Sequence, residues 1–435
     1  MATTFLSKTF GSAGTRTKYT ISMWVKRTAL GVNESIISAG TGVNNSFQIS
    51  FNGADDRLYW NSYSNNGASY DYFLNTTRRF RDVGAFYHIV CAFDSTQGTA
   101  SDRQKIYING VQETAFTTET YSAVNYADYA FNNILHEIGD DVANGSKFYN
   151  GLMSYIAGVD GTAYDASYFG ETDSSSGIWK IKTGPSVTYG TNGFFLKMDT
   201  SSPGTDTSGN SNTFTVSGTP TLTQDNASNN FATNNPLCNV AGRWTITNGN
   251  NTIQHANGGS WTAMMSSMAA SVGKYYMETK ITAGASRAMF GVMSVDTNIM
   301  GYETNLTTIC LYYNLSGGEF QQSGGTTSGN NYGTFADNDI AGIALDCTNN
   351  KISIYKNGTA LVTDHTIPAT VDGFIGFGFT SDSNSTIYQC NYGNGFFGTT
   401  AIASSNADAA GHGLFEYAVP TGYFSLNTKN LNTYG

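Results

Sequence analysis

The stretch "QKIYINGVQ" at residues 104–112 and the stretch "ISIYKNGTA" at residues 352–360 share one hairpin pattern. Each contains an Ile-Tyr pair, one further residue, and then Asn-Gly. A type I′ turn needs positive φ at both central positions, so Asn-Gly between apolar strands predicts a two-residue β-hairpin. In the first copy Ile106 and Ile108 fall on the same strand face. The chain therefore contains the same hairpin twice.

A longer pattern surrounds each hairpin. The first is preceded by "YHIVCAFD", which ends at Asp94, and the second by "IAGIALD", which ends at Asp346. Each is an apolar strand that closes on an Asp able to start a turn. Each half also opens alike, with "KYTISMWVKRT" at 18–28 and "GKYYMETKIT" at 273–282. The repeated unit is an antiparallel three-stranded meander beside an opening strand.

The fold class follows from this repetition. No segment of helical length shows a 3.6-residue period, and short strands alternate with turns rich in Gly, Asn, Asp and Ser. The 435 residues include 49 glycines and only 6 prolines. We therefore predict an all-β protein of two antiparallel β-sandwiches.

The charge of the chain argues against nucleic-acid binding. It has 22 Lys and Arg against 32 Asp and Glu, a net charge of −10. A nucleic-acid site needs a basic patch to neutralise phosphates. The basic cluster "TRRFR" at 77–81 is best interpreted as a solvated strand edge. No nucleic-acid partner is expected.

Targeting and cysteine patterns indicate a chain that folds in a reducing cytosol. The first residues, "MATTFLSKTFGSAG", lack the pattern of a signal peptide, and no run approaches the ~20 apolar residues of a membrane span. The five cysteines are scattered, without a CxxC or Cys/His metal spacing. We expect unpaired thiols and no membrane insertion.

Each half resembles a known type of domain. The first half resembles laminin G-like, concanavalin A-like domains in "YTISMWVKR", "FYHIVCAFD", "KIYINGV" and "EIGDDVANGSKFYNGLMSYIAGVDG". The second half resembles a SPRY-type domain in "GKYYMETKI", "FGVMSV", "DIAGIALDCTNNKISIYKNG" and "GFIGFGF". These resemblances imply two concanavalin A-like sandwiches, or jelly rolls, in tandem with a connector.

The order of segments over nearly the whole chain is similar to a family of structural proteins of tailed phages. The most specific part is the connector, "FGETDSSSGIWKIKTGPSVTYGTNGFFLKMDTSSPGTDTSGNSNTFTVSG" followed by "DNASNNFATNNPLCN". The closing "VPTGYFSLNTKNL" also matches. This resemblance implies a virion component and not an enzyme, without fixing its place in the particle.

Four segments are predicted on this basis. They are a laminin G-like sandwich at 1–170, a partly ordered connector at 171–235, a SPRY-like sandwich at 236–398 and a C-terminal packing segment at 399–435.

The motifs of hydrolytic enzymes are missing from the sequence. Glucanases of the laminarinase type need a strand-borne Glu-x-Asp-x-x-Glu, and the connector offers only Glu171 and Asp173. The acidic "HEIGDD" at 136–141 matches a strand of the laminin G type. No Gly-x-Ser-x-Gly occurs, and the five histidines are solitary. We predict no catalytic residues, no cofactor and no enzymatic activity.

A calcium site is the one metal site that the resemblance brings into view. Asp140, Asp141 and Asn144 supply oxygen ligands in one loop. Turn formation is the favoured role of these residues, so no metal site is predicted.

The hairpin at 58–74 provides the candidate contact face. A turn at Asn66-Gly67 would pair Tyr63 with Tyr70, Asn61 with Tyr72, and Tyr59 with Leu74. One face would then carry Tyr63, Tyr70, Tyr72 and Asn61, and the other Leu58, Trp60 and Phe73. The tyrosine face is either an ordinary outer face or a contact surface for a host glycan or a neighbouring virion subunit.

The segment 399–435 is too apolar to remain in water. It either contacts a partner protein or seals the second sandwich. The residues concerned are Leu414, Phe415, Tyr417, Tyr423 and Phe424.

We therefore predict a non-enzymatic virion structural protein that is exposed on the particle, as capsid decoration or part of a tail appendage. The alternative is a carbohydrate-binding, lectin-like module for host recognition, and a glycan hydrolase is the least favoured reading. The expected partners are other virion proteins and further copies of the chain, with a host surface glycan under the alternative. The protein would fold in the host cytoplasm before assembly onto the virion surface.

Overall fold

A computed structural model describes residues 4–64, 69–143, 145–199, 202–239, 242–256, 258–295, 310–322, 325–326 and 329–435. The chain divides into two compact units. The first comprises Met1–Leu222 and Asn226–Ser228, and the second comprises Thr223–Asp225 and Asn229–Gly435. The first unit thus includes most of the predicted connector, and the predicted segment limits stay predictions.

The first unit is built from short strands. They are β1 Phe5–Thr9, β2 Lys18–Arg27, β3 Glu34–Gly42, β4 Asn45–Phe51, β5 Arg57–Ser64, β6 Ser69–Arg79, β7 Tyr87–Asp94, β8 Gln104–Ile108, β9 Val111–Gln112, β10 Phe116–Thr120, β11 Leu135–Ile138, β12 Gly151–Asp160, β13 Gly170–Thr172, β14 Trp179–Ile181, β15 Phe194–Leu196 and β16 Thr215–Ser217.

Among the described residues these strands form two large sheets, which pack around one core. One sheet has the order β10-β6-β5-β4-β3-β11-β1-β16 and the other β15-β12-β2-β7-β8-β9, while β13 and β14 form a separate hairpin. Strand pairing within both large sheets is antiparallel. Inward residues such as Ile21, Met23, Phe47, Trp60 and Ile106 are buried between the sheets. Because alternate side chains on each strand point to opposite faces, this core leaves one outer face per sheet.

The second unit has the same kind of elements. They are β17 Trp244–Thr247, β18 Thr252–His255, β19 Thr262–Met265, β20 Lys274–Ala283, β21 Ala288–Ser294, β22 Cys310–Asn314, β23 Glu319–Gln322, β24 Gly325–Thr326, β25 Ile340–Asp346, β26 Lys351–Lys356, β27 Thr359–Thr366, β28 Ile375–Ser381, β29 Ile387–Asn391, β30 Phe396–Phe397, β31 Thr400–Ala401, β32 Phe424–Ser425 and the helix α1 Thr428–Tyr434. Short 3-10 helices lie at Ala100–Asp102, Ala166–Tyr168, Pro236–Cys238 and Ala285–Arg287.

Two large sheets again enclose a core in the described part of this unit. One has the order β17-β18-β29-β20-β25-β26-β27, with β32 added to β20, and the other has the order β19-β28-β21-β22-β23-β24. Met277, Ile343, Ile354, Phe377 and Phe379 are among the buried core residues. The predicted fold class, two concanavalin A-like antiparallel sandwiches, is confirmed.

The predicted duplication is visible in the strand register. The opening strand and the meander lie side by side in both units, as β2-β7-β8-β9 and as β20-β25-β26-β27. Lys18 pairs with Asp94 and Lys274 pairs with Asp346 at equivalent places, with ion pairs of 3.2 and 2.9 Å. The residue after each lysine is a buried tyrosine. The two units therefore repeat one four-stranded motif.

The two Asn-Gly turns also use their residues alike. Asn109 and Asn357 have φ of +49° and +47°, and the glycines that follow have φ of +84° and +80°. The side-chain oxygens of Asn109 and Asn357 each accept a hydrogen bond of 2.8 Å from the backbone N–H of a neighbouring strand, at His88 and Ile340 respectively. Asparagine thus both tolerates the left-handed conformation and fastens the turn to the sheet.

None of the five cysteines, which all lie within the described residues, forms a disulfide, and four of them are buried. Within the described residues, no helix is long and apolar enough to cross a membrane.

Candidate ligand-binding face of the first unit

A β-bulge in the hairpin of β5 and β6 decides which side chains share the outer face. Tyr63 pairs with Tyr70 as predicted, but the register then shifts, so that Ser62 lies opposite Tyr72 and Asn61 lies opposite Phe73. Asp71 is the extra residue. The predicted pairs Asn61–Tyr72 and Tyr59–Leu74 are therefore wrong, and the turn at Asn66-Gly67 lies outside the described residues.

The shift carries Tyr72 into the core. One extra residue on one strand moves every following side chain to the opposite face. Tyr72 is fully buried, and its hydroxyl donates to the Asp128 carboxylate at 2.6 Å. Tyr19 donates to the same oxygen at 2.5 Å, and Ser62 donates to the other oxygen at 3.0 Å. Tyr72 is a structural residue, and its predicted place in a contact face is corrected.

The same shift brings Phe73 out to the face, against the prediction. Its ring stacks on Tyr70 with centroids 4.4 Å apart, and the Tyr70 ring lies 4.1 Å from that of Tyr63. The Tyr59 ring meets Phe73 edge-on at 6.1 Å. We call Tyr59, Tyr63, Tyr70 and Phe73 the aromatic strip. Tyr70 is 39% exposed and the other three are half-buried.

Polar side chains lie between and beside these rings. Asn61 stands between Tyr59 and Tyr63 on β5, is only 2% exposed, and has Gln48 as its neighbour on β4. The side-chain oxygens of Asn61 and Asn75 are buried and find no hydrogen-bond partner among the described residues. The face therefore combines apolar rings with unsatisfied hydrogen-bond acceptors.

The neighbouring loop is not arranged as a cation site. One Asp141 oxygen accepts from Gln48 Nε2 at 3.0 Å and the other lies 2.9 Å from Lys147 Nζ. Asp140 accepts the backbone N–H of Asp141 at 2.7 Å. Asn144 lies outside the described residues. Across the described chain, no three His, Cys, Asp or Glu side chains come together in a way that could hold a metal ion.

Two carboxyls of this region, Glu137 and Asp140, have a raised pKa. Burial, with the nearby charges of Asp140 and Asp141, raises the pKa of Glu137 to about 7. Glycoside hydrolysis also needs a second carboxylate free to act as nucleophile or base. Asp141 is engaged by Lys147, which leaves it poorly suited to that role. Glu171 and Asp173 both pair with Lys180 on the hairpin of β13 and β14.

A buried Ser-His contact in the other sheet could also suggest catalysis. Ser22 Oγ lies 2.9 Å from His88 Nε2, and Trp179 Nε1 donates to His88 Nδ1 at 3.0 Å. Because an indole N–H is only a donor, Nδ1 must be the acceptor and Nε2 must carry the proton of the neutral ring. Burial lowers the pKa of His88 to about 3. His88 therefore donates to Ser22 and is not placed to deprotonate it.

In the second unit, the C-terminal residues named from the sequence pack onto their own unit. Phe415 and Tyr423 are buried in one cluster with Tyr276 and Ala344. The Tyr417 ring covers Gly358 of the Asn-Gly turn, where a Cβ would lie 2.6 Å away.

The other two C-terminal residues named from the sequence, Phe424 and Leu414, also contact residues of the second unit. Phe424 belongs to β32, which pairs with β20, and its ring stacks on Tyr434 at 3.8 Å. Leu414 is half-buried, and its N–H donates to Gly393. These contacts favour the sealing role over the partner role.

A buried carboxyl helps to hold this segment. Glu278 on β20 accepts the backbone N–H groups of Glu416 and Tyr417 at 2.8 and 2.9 Å. Burial raises the pKa of Glu278 to about 7. Sequence reasoning singled out neither Glu278 nor Asp128, since nothing near either residue in the chain shows what it will contact. Asp71 alone carried a local signal, because aspartate is unfavourable within a strand.

Residues 6–159 match the family model of the concanavalin A-like lectin/glucanases superfamily. The match agrees with the laminin G-like resemblance of this part of the sequence. No curated protein matches the chain.

Several solved structures are similar to part of this chain. The SPRY domain of human HERC1 is 17% identical, with a TM-score of 0.29, over 34% of this chain and 91% of its own. The PSpry domain of TRIM65 is 10% identical, with a TM-score of 0.30, and the match covers 37% of this chain and 91% of that domain. A heptameric SAP-like pentraxin from Limulus polyphemus is 16% identical, with a TM-score of 0.28, and the match covers 38% of this chain and 72% of the pentraxin chain.

Proposed function

We propose that the protein is a non-enzymatic binding protein on the surface of a tailed-phage particle, and that it makes contact through the aromatic strip. The phage assignment is supported by the resemblance of the connector and of the segment order. The contact role is supported by one observation above all, which is the stack of Tyr63, Tyr70 and Phe73 on an outer sheet face.

Outward-facing aromatic rings are suited to binding. Burying such rings against a ligand releases apolar surface from water, and tyrosine adds a polar tip at low entropy cost. The superfamily that matches residues 6–159 is described as lectins and glucanases. A carbohydrate ligand agrees with the lectin part of that description.

A binding role, rather than catalysis, is supported by the state of the candidate catalytic groups. Asp141 is paired with Lys147, and His88 has the wrong tautomer to activate Ser22. A glycosidase would need two carboxyls that flank the bond to be cleaved. We expect the pure protein to release no reducing sugar from host polysaccharide. If it does release sugar, and if substitution of a single carboxyl residue abolishes that activity, the expectation is wrong.

The test uses particles and the purified chain together. Stoichiometric copies on purified particles are expected, and their absence would refute the virion assignment. The double variant Tyr63→Ala/Tyr70→Ala should then impair adsorption or assembly while the protein still folds. Tyr168→Ala is a matched control, because Tyr168 is 42% exposed and also contacts a second tyrosine, away from the strip. Normal adsorption and assembly of the double variant would refute the contact role.

A further inference from the structure

The aromatic strip is elongated along its strands. Tyr59 and Tyr63 lie four residues apart on β5, a separation of about 13 Å at the rise of a strand. Tyr70 and Phe73 lie beside them on β6. A ligand that contacted all four rings would therefore extend along the strands and would be larger than a single sugar ring.

Hydrogen-bond acceptors accompany the rings along the same line. Asn61 lies between Tyr59 and Tyr63 on the same strand face, and Asn75 lies opposite Tyr59. Their side-chain oxygens lack partners within the described chain, as do the hydroxyls of Ser46 and Ser50, which lie opposite Tyr63 and Tyr59. Buried acceptors of this kind are costly unless a donor reaches them. Sugar hydroxyl groups are donors, and the faces of sugar rings are apolar.

The charges around the strip disfavour an anionic ligand. The strip itself contains no Asp, Glu, Lys, Arg or His side chain. Asp71, between Tyr70 and Tyr72 in the chain, accepts from Ser64 Oγ at 2.7 Å and from Tyr126 Oη at 2.9 Å. Lys147, which reaches Tyr59, is paired with Asp141, and Arg57, two residues before Tyr59 on β5, is paired with Asp55 at 3.2 Å. The chain as a whole carries a net charge of −10.

The size of the strip favours a glycan over a protein. A stable protein interface involves roughly 20–30 residues on each side, whereas the strip offers four partly exposed rings. A sugar chain needs no such area, because ring stacking and a few amide contacts position each unit.

We propose that the aromatic strip binds an extended, uncharged glycan of several sugar units that lies along β5 and β6. This rests on the proposed contact role of the strip and commits it to one ligand class. The exposed surfaces of the four rings contact successive sugar units, and the amides of Asn61 and Asn75 accept from sugar hydroxyls.

The experiment measures the binding of linear oligosaccharides to the full chain by titration calorimetry and NMR. The probes are cello-, manno-, xylo- and chito-oligosaccharides of two to six units, with oligogalacturonates as the anionic comparison. At least one neutral series should bind, with affinity rising with chain length until the strip is covered. Binding that is equal for all lengths, or that prefers the anionic series, would overturn the proposal.

Variants locate the site. Tyr63→Ala and Phe73→Ala should each weaken binding about tenfold, whereas Tyr168→Ala should leave it unchanged. Asn75→Ala should weaken it less, because one neutral hydrogen bond is lost. Thermal melting of each variant identifies loss of fold, and a folded Phe73→Ala variant with unchanged affinity would overturn the proposal.

Failure of this inference is distinguishable from failure of the proposed function. If Tyr63→Ala/Tyr70→Ala impairs adsorption or assembly but no neutral series binds, the contact role stands and the glycan class is wrong. If the double variant adsorbs and assembles normally and no series binds, both are wrong.

Discussion

Replacing Tyr72 by Phe tests the bulge at Asp71, because only the shifted register buries the Tyr72 hydroxyl. That hydroxyl donates to Asp128 Oδ2 at 2.6 Å inside the first unit. Phenylalanine keeps the ring and its contacts with Trp60 and Phe93. The variant therefore removes one hydrogen bond to a buried carboxylate and little else.

The expected cost follows from the nature of that bond. Hydrogen bonds to charged groups contribute about 1.5–3 kcal/mol, and Asp128 would keep Tyr19, Ser62 and the Tyr129 N–H as donors. Burial raises the pKa of Asp128 while its hydrogen bonds lower it, so losing one bond raises that pKa further. We expect Tyr72→Phe to lower the free energy of unfolding by about 2 kcal/mol.

Tyr70→Phe is the matched control. Tyr70 is 39% exposed on the outer face, so its variant should change stability by less than about 0.5 kcal/mol. Urea denaturation of the full chain measures the free energy of unfolding of both variants. The comparison requires that this free energy depend on urea concentration with the same slope in both. A Tyr72→Phe variant as stable as this control would refute the bulged register, because a regular hairpin places the hydroxyls of Tyr70 and Tyr72 on the same outer face.

Three further outcomes are expected. Folding raises the pKa of Glu278 from 4.5 to about 7, so its contribution to stability is complete below pH 4.5 and is lost as the pH rises through 7. Between pH 4.5 and pH 7 the free energy of unfolding of the wild type should fall by about 3 kcal/mol relative to that of Glu278→Gln, at 1.36 kcal/mol per pH unit. Parallel pH profiles of the two proteins in denaturation experiments would contradict this. Gly358→Ala should lower the free energy of unfolding by about 2–4 kcal/mol, because the new Cβ strains the backbone and clashes with Tyr417. Gly411→Ala is the control, because Gly411 has a similar φ but open space around it, and it should cost about 1 kcal/mol. Equal losses of stability in melting experiments would exclude the clash. Deleting 399–435 should destabilise the second unit because it removes the buried Phe415 and Tyr423, and an unchanged melting profile would show that the segment does not seal that unit.

The sequence by itself determined the repeated architecture. Asn-Gly at 109–110 and 357–358 requires a left-handed backbone at two successive residues, a local demand that fixes a hairpin wherever it occurs. Alternation of apolar residues in the flanking strands then fixes their inner face, since the side-chain period of a strand is two. Both signals are contained within a few residues, so they can be recognised without any knowledge of the surroundings.

The contact face was decided only by the tertiary structure. The alternation that predicts a strand face fails after a single extra residue, and Asp71 reverses the face of Tyr72 and Phe73. What makes the buried position of Tyr72 favourable is Asp128, which lies 56 positions further along the chain. In the second unit Glu278 meets the N–H groups of Glu416 and Tyr417 across 138 and 139 positions. Such pairings depend on which strands become neighbours, and no local pattern of residues encodes that.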